Sequence, residues 1–130
     1  MPRNISFSMT TPQFLDGSKD VTRRMGWTHL KTGDVLQAVE KAMGLKKGEK
    51  IKPLGLIRVV NVRREPLNQM CADLAYGEKE VAREGFPGRS ETDFVLWFAD
   101  SHHCKPDAIV TRIEFERLPS DVKSMGQPHD

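Results

Sequence analysis

The chain has 130 residues, the size of one ordinary domain, and its 38% apolar and 29% charged residues are typical of a water-soluble globular protein. It contains no run of 18 apolar residues, and its first eleven residues lack the basic start and apolar middle of a signal peptide, so we expect a cytoplasmic protein with no membrane span. Cys71 and Cys104 are too few for the disulfide framework of small secreted domains and lack the C-x-x-C spacing of a metal or redox site.

The net charge of +2 hides an asymmetry between the two halves of the chain. Residues 1–65 hold 13 Lys and Arg against 6 Asp and Glu, whereas residues 66–130 hold 7 against 12. A basic first half is typical of a protein that binds an anionic partner. The alternative is that the two halves intermix in the fold and their charges cancel.

Five segments have the composition of strands or extended chain. In chain order they are residues 5–9, 20–24, 35–39, 54–64 and 108–118. The fourth is the clearest, because its β-branched and apolar residues are bounded by Gly55 and Pro66, and the fifth alternates apolar with charged side chains. The third also fits a helical pattern through Leu36, Val39 and Met43, but the turn residues that precede it favour a strand.

Four short helices are predicted from capping residues and apolar spacing. The first follows Thr11-Pro12, the second and third cover residues 67–74 and 78–84, and the fourth begins at Ser90. Gly17 and Gly85 suit the left-handed position just past a helix end, and Ser90 with Asp93 resembles an N-cap pair. In the last helix, Phe94, Trp97 and Phe98 form an apolar stripe that runs toward His102, and we interpret Trp97 as a core residue.

Strands thus dominate both ends of the chain, with helices between the last two strands. This order predicts an α+β fold, a small β-barrel with peripheral helices, and a split α+β sandwich is the alternative. We expect one domain over residues 1–118 and a frayed C-terminal tail over residues 119–130.

The stretch from Gly17 to Arg24 carries the most informative chemistry. Lys19 and Thr22 lie three residues apart beside a glycine turn, so both can face one cleft if the backbone bends there. A lysine whose pKa is lowered by burial or by neighbouring cations acts as a base toward a hydroxyl. Arg23 and Arg24 supply such cations and also suit a phosphate or carbonyl oxygen. The alternative is a solvated turn with basic residues at the surface.

Two sequence motifs resemble those of a known family. The first is Gly17-x-Lys19-x-x-Thr22-x-Arg24 followed by Lys31-x-Gly33-Asp34-Val35-Leu36, and the second is Ala82-Arg83-Glu84-Gly85-Phe86. Together they are similar to the signature of the ASCH domain, a PUA-like β-barrel family found in RNA-associated proteins and in small bacterial and phage proteins. The resemblance covers about residues 4–118 and implies a PUA-like (ASCH) barrel with peripheral helices.

Within that family, the chain resembles the small bacterial 4-acetylcytidine amidohydrolases, which use a Lys, a Thr and a Glu. The resemblance places these roles on Lys19, Thr22 and Glu84, and implies a modified-nucleoside amidohydrolase without a cofactor. Lys19 would take the proton of Thr22, Glu84 would protonate the leaving amine, and Arg24 would hold the oxyanion or the carbonyl of the base. The segments 44–53 and 66–74 look like additions to the minimal enzyme.

A nucleic-acid partner is predicted by basic and aromatic residues near this stretch. Trp27 follows the arginines, where an exposed indole can stack on a base, although packing in the barrel wall is the alternative. Lys46, Lys47 and Lys50 belong to a basic loop that suits a phosphate backbone or simply a soluble surface. With Arg24, these residues favour RNA or single-stranded nucleic acid over a protein partner.

A metal site is not predicted. His102, His103 and Cys104 are adjacent, and adjacent side chains seldom converge on one ion, so we interpret them as a polar helix end. Two functions therefore remain open: an amidohydrolase, and a binding module that holds a nucleoside or RNA in the same cleft without changing it.

Overall fold

The computed structural model describes residues 2–42 and 45–119. The predicted tail therefore lies outside the described residues, apart from Pro119. The strands are β1 (Arg3–Ser6), β2 (Val21–Arg24), β3 (Val35–Val39), β4 (Pro53–Pro66) and β5 (Ile109–Arg117). The helices are α1 (Thr11–Asp16), α2 (Gln69–Ala72), α3 (Leu74–Arg83) and α4 (Glu91–His102).

The five strands form one mixed sheet in the order β1-β3-β4-β5-β2. The pair β1–β3 is parallel and every other pair is antiparallel. The sheet curls into a half-barrel, and among the described residues no backbone ladder joins its two edge strands, β1 and β2. We call the gap between these two edges the open seam. The predicted α+β class is confirmed, with one curled sheet in place of the alternative sandwich.

The sheet separates two hydrophobic cores, because side chains alternate between its faces. The first core lies inside the curl and is closed by α1; its fully buried members are Ile5, Phe7, Phe14, Leu36, Ala38, Ile57, Val59, Ile113 and Phe115. The second lies between the opposite face and helices α2 to α4; its members are Leu67, Met70, Val81, Phe94, Val95, Phe98, Ala99 and Val110. Each fully buried large side chain contributes about 1.5–3 kcal/mol, so the two cores hold the helices and the sheet in one arrangement.

A β-bulge in β4 keeps its apolar side chains on one face. The register against β5 shifts between Val59 and Asn61, so Val60 has no partner and is 41% exposed. The extra residue reverses the alternation, and Val62 therefore packs against the same core as Val59 although the two are three residues apart.

The local signals in the sequence explain most element boundaries. Gly17 ends α1 with a φ of 85°, and the Ser90 hydroxyl accepts a hydrogen bond from the Asp93 backbone N–H at the start of α4. The predicted helix over residues 67–74 is reduced to the single turn α2. Asp73 is extended, and its carboxylate accepts a hydrogen bond from the Tyr76 N–H, so α3 begins at Leu74, four residues earlier than predicted.

Candidate functional site

A cavity of about 190 Å³ lies at the open seam. It is lined by the end of β1 and the residues that follow, 6–10, and by two groups of side chains, called walls here, that differ in chemistry. The polar wall consists of Lys19, Thr22, Arg23, Arg24 and Glu84. The aromatic wall consists of Phe86, Phe94, Trp97, Phe98 and His102.

Lys19 reaches the cavity because the chain bends sharply after α1. Its backbone N–H donates to the Gln13 carbonyl, two residues after the left-handed Gly17. Its side chain is 4% exposed, and Nζ donates to the Glu84 carbonyl at 2.6 Å and to Glu84 Oε1 at 3.2 Å. Burial lowers the pKa of Lys19; the Glu84 carboxylate opposes this effect, and the positive charge of Arg24 adds to it. This amine therefore loses its proton more readily than an ordinary lysine.

Thr22 and Arg24 point into the cavity together, since residues two apart on a strand share a face. The buried Thr22 hydroxyl accepts a hydrogen bond from Arg24 Nε at 3.0 Å, which leaves its own O–H proton available to a base. Arg24 Nη2 donates across the open seam to the Ser6 carbonyl at 2.6 Å. Burial lowers the pKa of Arg24 to about 10, against the charge of Glu84. Lys19 and Thr22 line the same cavity, but the described contacts include no hydrogen bond between them.

Glu84 is held from two sides. It is the last residue of the turn that ends α3, and Gly85 follows with a φ of 102°, so the chain reverses directly after it. Arg23 Nη1 donates to Glu84 Oε2 at 2.9 Å, while Lys19 contacts Oε1. The Glu84 side chain is 4% exposed, so the carboxylate is fixed beside the Lys19 amine.

Glu84 is one member of a group that we call the buried charge cluster. The cluster consists of Arg23, Glu65, Glu80, Glu84 and Arg112. Arg23 Nη2 donates to Glu80 Oε1 at 2.7 Å and to Glu65 Oε2 at 3.1 Å. Arg112 donates to both oxygens of Glu80, at 2.6 and 3.0 Å. Burial acts to raise the pKa of Glu80, but the hydrogen bonds from Arg112 and Arg23 hold it at about 2. Burial likewise acts against the charge of Arg23, yet Glu84 and Glu80 raise its pKa above the ordinary value.

The structure divides the predicted site residues into two groups. Lys19, Thr22, Glu84, Arg23 and Arg24 all line the cavity, with the Arg23 terminal nitrogens occupied by carboxylates.

The second group lies outside the cavity lining. Trp27 is half-buried against the first core, and the Arg3 guanidinium lies 3.8 Å from its ring centroid. Lys46, Lys47 and Lys50 are exposed in the loop between β3 and β4.

The aromatic wall was not predicted as part of the site. Its sequence signal is the stripe Phe94, Trp97, Phe98 and His102 on α4, which we interpreted as core plus a polar helix end. Phe94 and Phe98 do belong to the second core, but Trp97 is only half-buried and faces the cavity with His102. The stripe includes Trp97 and His102, whose rings carry polar nitrogen atoms. These two residues distinguish this helix face from a purely apolar one.

Residues 2–42 and 45–119 contain neither a cluster of metal ligands nor a membrane-spanning helix. No three His, Cys, Asp or Glu side chains come together there in a way that could hold a metal ion. In the same residues, every helix is too short and too polar to cross a bilayer.

Comparisons with known proteins show the fold. The chain matches no protein-family model, and none of the curated proteins searched matches it. It is similar to a crystal structure of an Enterococcus faecalis protein of the DUF984 family, with 16% identity, a TM-score of 0.59, and coverage of 91% of this chain and 80% of that chain. It is also similar to a crystal structure of an ASCH domain from Lactobacillus crispatus, with 14% identity, a TM-score of 0.54, and coverage of 88% and 78%. The chain therefore has the ASCH-like, PUA-like α+β fold expected from its motifs.

Proposed function

We propose that this chain is an amidohydrolase that removes the acyl group from an acylated cytosine nucleoside of the 4-acetylcytidine type. The observation that carries the proposal is the convergence of Lys19, Thr22 and Glu84 on one cavity, with Lys19 and Thr22 from one stretch of the chain and Glu84 from a distant one. The motif resemblance and the ASCH-like fold support the same assignment.

Lys19 is the general base in this proposal. An ammonium group has three N–H donors and no acceptor, whereas a neutral amine has two N–H donors and one lone pair. Lys19 makes two hydrogen bonds, both to Glu84, which the two donors of a neutral amine satisfy. The lowered pKa of Lys19 raises the neutral fraction, whose lone pair can accept the Thr22 proton.

Thr22 is the nucleophile. Its oxygen attacks the acyl carbon as its proton passes to Lys19, and Arg24, which already donates to Oγ1, stabilises the negative charge that forms on the acyl oxygen. The bond between the acyl carbon and the exocyclic nitrogen then breaks. The Lys19 proton moves to the leaving amine through Glu84 Oε1, which is 3.2 Å away. Cytidine leaves, and water hydrolyses the Thr22 ester to acetate and restores the hydroxyl.

The size of the cavity supports a single-ring ligand. A cavity of roughly 150 Å³ holds one benzene ring, and the cavity at the open seam measures about 190 Å³. One pyrimidine ring fits this space, and the sugar is left at the entrance.

The test is a chromatographic assay of the purified chain with 4-acetylcytidine, in parallel with Thr22→Ala, Thr22→Ser and Thr28→Ala. We expect cytidine from the wild type, no cytidine from Thr22→Ala, and partial activity from Thr22→Ser, which keeps a hydroxyl. Thr28 is exposed and does not line the cavity, so Thr28→Ala is the matched control and retains full activity. Thermal melts of all variants show whether each one is folded.

Absence of cytidine at high wild-type concentration contradicts the hydrolase assignment. If the folded chain then still binds 4-acetylcytidine by calorimetry, the cavity belongs to a binding module for nucleosides or single-stranded nucleic acid. In that case RNA affinity measured against salt concentration tests whether the exposed lysines between β3 and β4 contact phosphates.

A further inference from the structure

The aromatic wall has features that the hydrolytic steps do not use. It is built mainly by α4, whose apolar side anchors it in the second core. Phe94 and Phe98 are 2% exposed, so the helix carries the wall on a rigid support. Trp97 and His102 extend from this support toward the cavity and solvent.

The Trp97 indole has a face that none of the described aromatic rings covers. Its three aromatic neighbours, Phe86, Phe94 and Phe98, meet it at interplanar angles of 56°, 52° and 76°, with ring centroids 5.3–6.5 Å away. These are tilted or edge-on contacts, so none of these rings lies parallel to the indole. Phe98 differs, because the His102 ring stacks on it at 3.9 Å and 15°. Phe86 and Trp97 are the half-buried rings of this wall without a parallel aromatic partner, and Trp97 offers the larger aromatic face to a flat ligand.

The His102 ring has a defined tautomer when it is neutral. Nδ1 lies 3.0 Å from the Phe98 carbonyl oxygen, which can only accept, so Nδ1 carries the proton. Nε2 is then an acceptor, on the ring edge away from the helix backbone. If one base ring fills the cavity, the group attached to that base lies near this acceptor. A hydroxyl on the attached group can donate to it, and a ribose supplies such hydroxyls.

We propose that the aromatic wall makes this cavity selective for a pyrimidine nucleoside, with Trp97 stacking on the base and His102 Nε2 accepting a hydrogen bond from a sugar hydroxyl. The identity of the base as an acylated cytosine rests on the proposed function, whereas the stacking and the hydrogen bond do not. Trp97 and His102 act on binding and take no part in the proton transfers.

The first test uses the intrinsic fluorescence of the two tryptophans, Trp27 and Trp97. In Thr22→Ala, which removes the nucleophile, 4-acetylcytidine is titrated into a Trp27→Phe background and a Trp97→Phe background. We expect saturable quenching when Trp97 is the remaining indole and none when only Trp27 remains, because Trp27 lies outside the cavity. Equal quenching in both backgrounds, or quenching of Trp27 alone, overturns the proposal.

The second test measures affinity by calorimetry, again with Thr22→Ala as the parent so that the nucleoside is not consumed. Removal of a base–aromatic stack costs about 1–3 kcal/mol, so Trp97→Ala raises the Kd for 4-acetylcytidine roughly 5- to 150-fold. Trp97→Phe retains a ring that can fill the core contacts, and it raises the Kd by less. An unchanged Kd in a folded Trp97→Ala variant contradicts the stacking role.

The third test addresses His102 by comparing the nucleoside with the free base, 4-acetylcytosine. One hydrogen bond contributes about 0.5–1.5 kcal/mol, so the inactive parent Thr22→Ala prefers the nucleoside roughly 2- to 10-fold. In this parent, His102→Phe removes the preference and keeps the stack on Phe98, while the exposed His29→Phe, outside the cavity, retains it. The same preference with His102→Phe as in the parent overturns the role of His102.

The two proposals fail separately. Trp97 quenching without cytidine formation keeps the nucleoside site and removes the hydrolase. Cytidine formation without Trp97 quenching keeps the hydrolase and removes the stacking wall.

Discussion

Glu80 joins the two arginines of the buried charge cluster, so its substitution tests what the cluster contributes to stability. Its side chain is 2% exposed, and its two oxygens accept hydrogen bonds from Arg23 and Arg112 at 2.6–3.0 Å. These contacts lower its pKa from 4.5 to about 2. Since one pKa unit corresponds to about 1.4 kcal/mol, the charged form of Glu80 stabilises the folded chain by at most about 3 kcal/mol at pH 7. Glu80→Gln keeps the shape and removes this charge, so we expect a loss of up to about 3 kcal/mol at pH 7.

The pH dependence has a definite sign. The pKa of Glu80 is lower in the folded chain than in the unfolded chain, so its stabilisation is complete above pH 4.5 and is lost as the pH falls through 2. The stability difference between wild type and Glu80→Gln therefore shrinks from about 3 kcal/mol at pH 7 to about 1 kcal/mol at pH 3.

Urea unfolding followed by tryptophan fluorescence measures both quantities, because urea does not screen charges. The matched control is Glu116→Gln: Glu116 pairs with Arg58 at 3.3 Å, but the two side chains are 53% and 48% exposed. An exposed pair contributes less than about 1 kcal/mol. Equal losses in the two variants, or a difference that does not change between pH 7 and pH 3, would refute this account of the cluster.

Two further predictions concern the helices beside the cavity. Gly77→Ala in α3 brings a Cβ into collision with the Met70 backbone oxygen. In an open helix the same change adds up to about 1 kcal/mol of stability, whereas here we predict a loss of about 1–3 kcal/mol; a higher urea midpoint contradicts this. Ser90→Ala removes the N-cap of α4 and lowers stability by about 1 kcal/mol, which differential scanning calorimetry detects as a lower Tm. The exposed Ser101→Ala is its control, and a Tm equal to that of the control would show that the cap contributes nothing.

Short-range features of the fold could be predicted from the sequence because their causes are local. The Ser90–Asp93 cap and the left-handed Gly17 and Gly85 each depend on residues a few positions apart, and the structure confirms them. The alternation predicted in the fifth strand is not seen in its burial: residues 110–113 are all buried in β5, because this central strand is covered on both faces. Sheet order depends on long-range pairing, and nothing in residues 3–6 or 21–24 identifies them as the two edge strands.

The same contrast between local signals and long-range contacts applies to the candidate site. The motif around Lys19 and Thr22 identified one wall of the cavity. The partners of Arg23 could not be found in this way. Glu65 and Glu80 lie 42 and 57 positions away along the chain, and glutamate is usually a surface residue, so the sequence does not mark either one as buried. The charge asymmetry between the halves is reduced by such pairs, since Arg23 and Arg58 of the first half meet carboxylates of the second half.

The open seam has a consequence for how a ligand enters. In the described residues, the two edge strands share no ladder, and the Arg24 guanidinium bridges them through its bond to the Ser6 carbonyl. A hydrogen bond with one charged partner contributes about 1.5–3 kcal/mol, so breaking it populates an opened state at about 1–10% of molecules. A ligand can therefore enter and leave through a local opening of this edge. For the same reason, the amide hydrogens of β1 and β2 that face the gap exchange with solvent before those of β4 and β5.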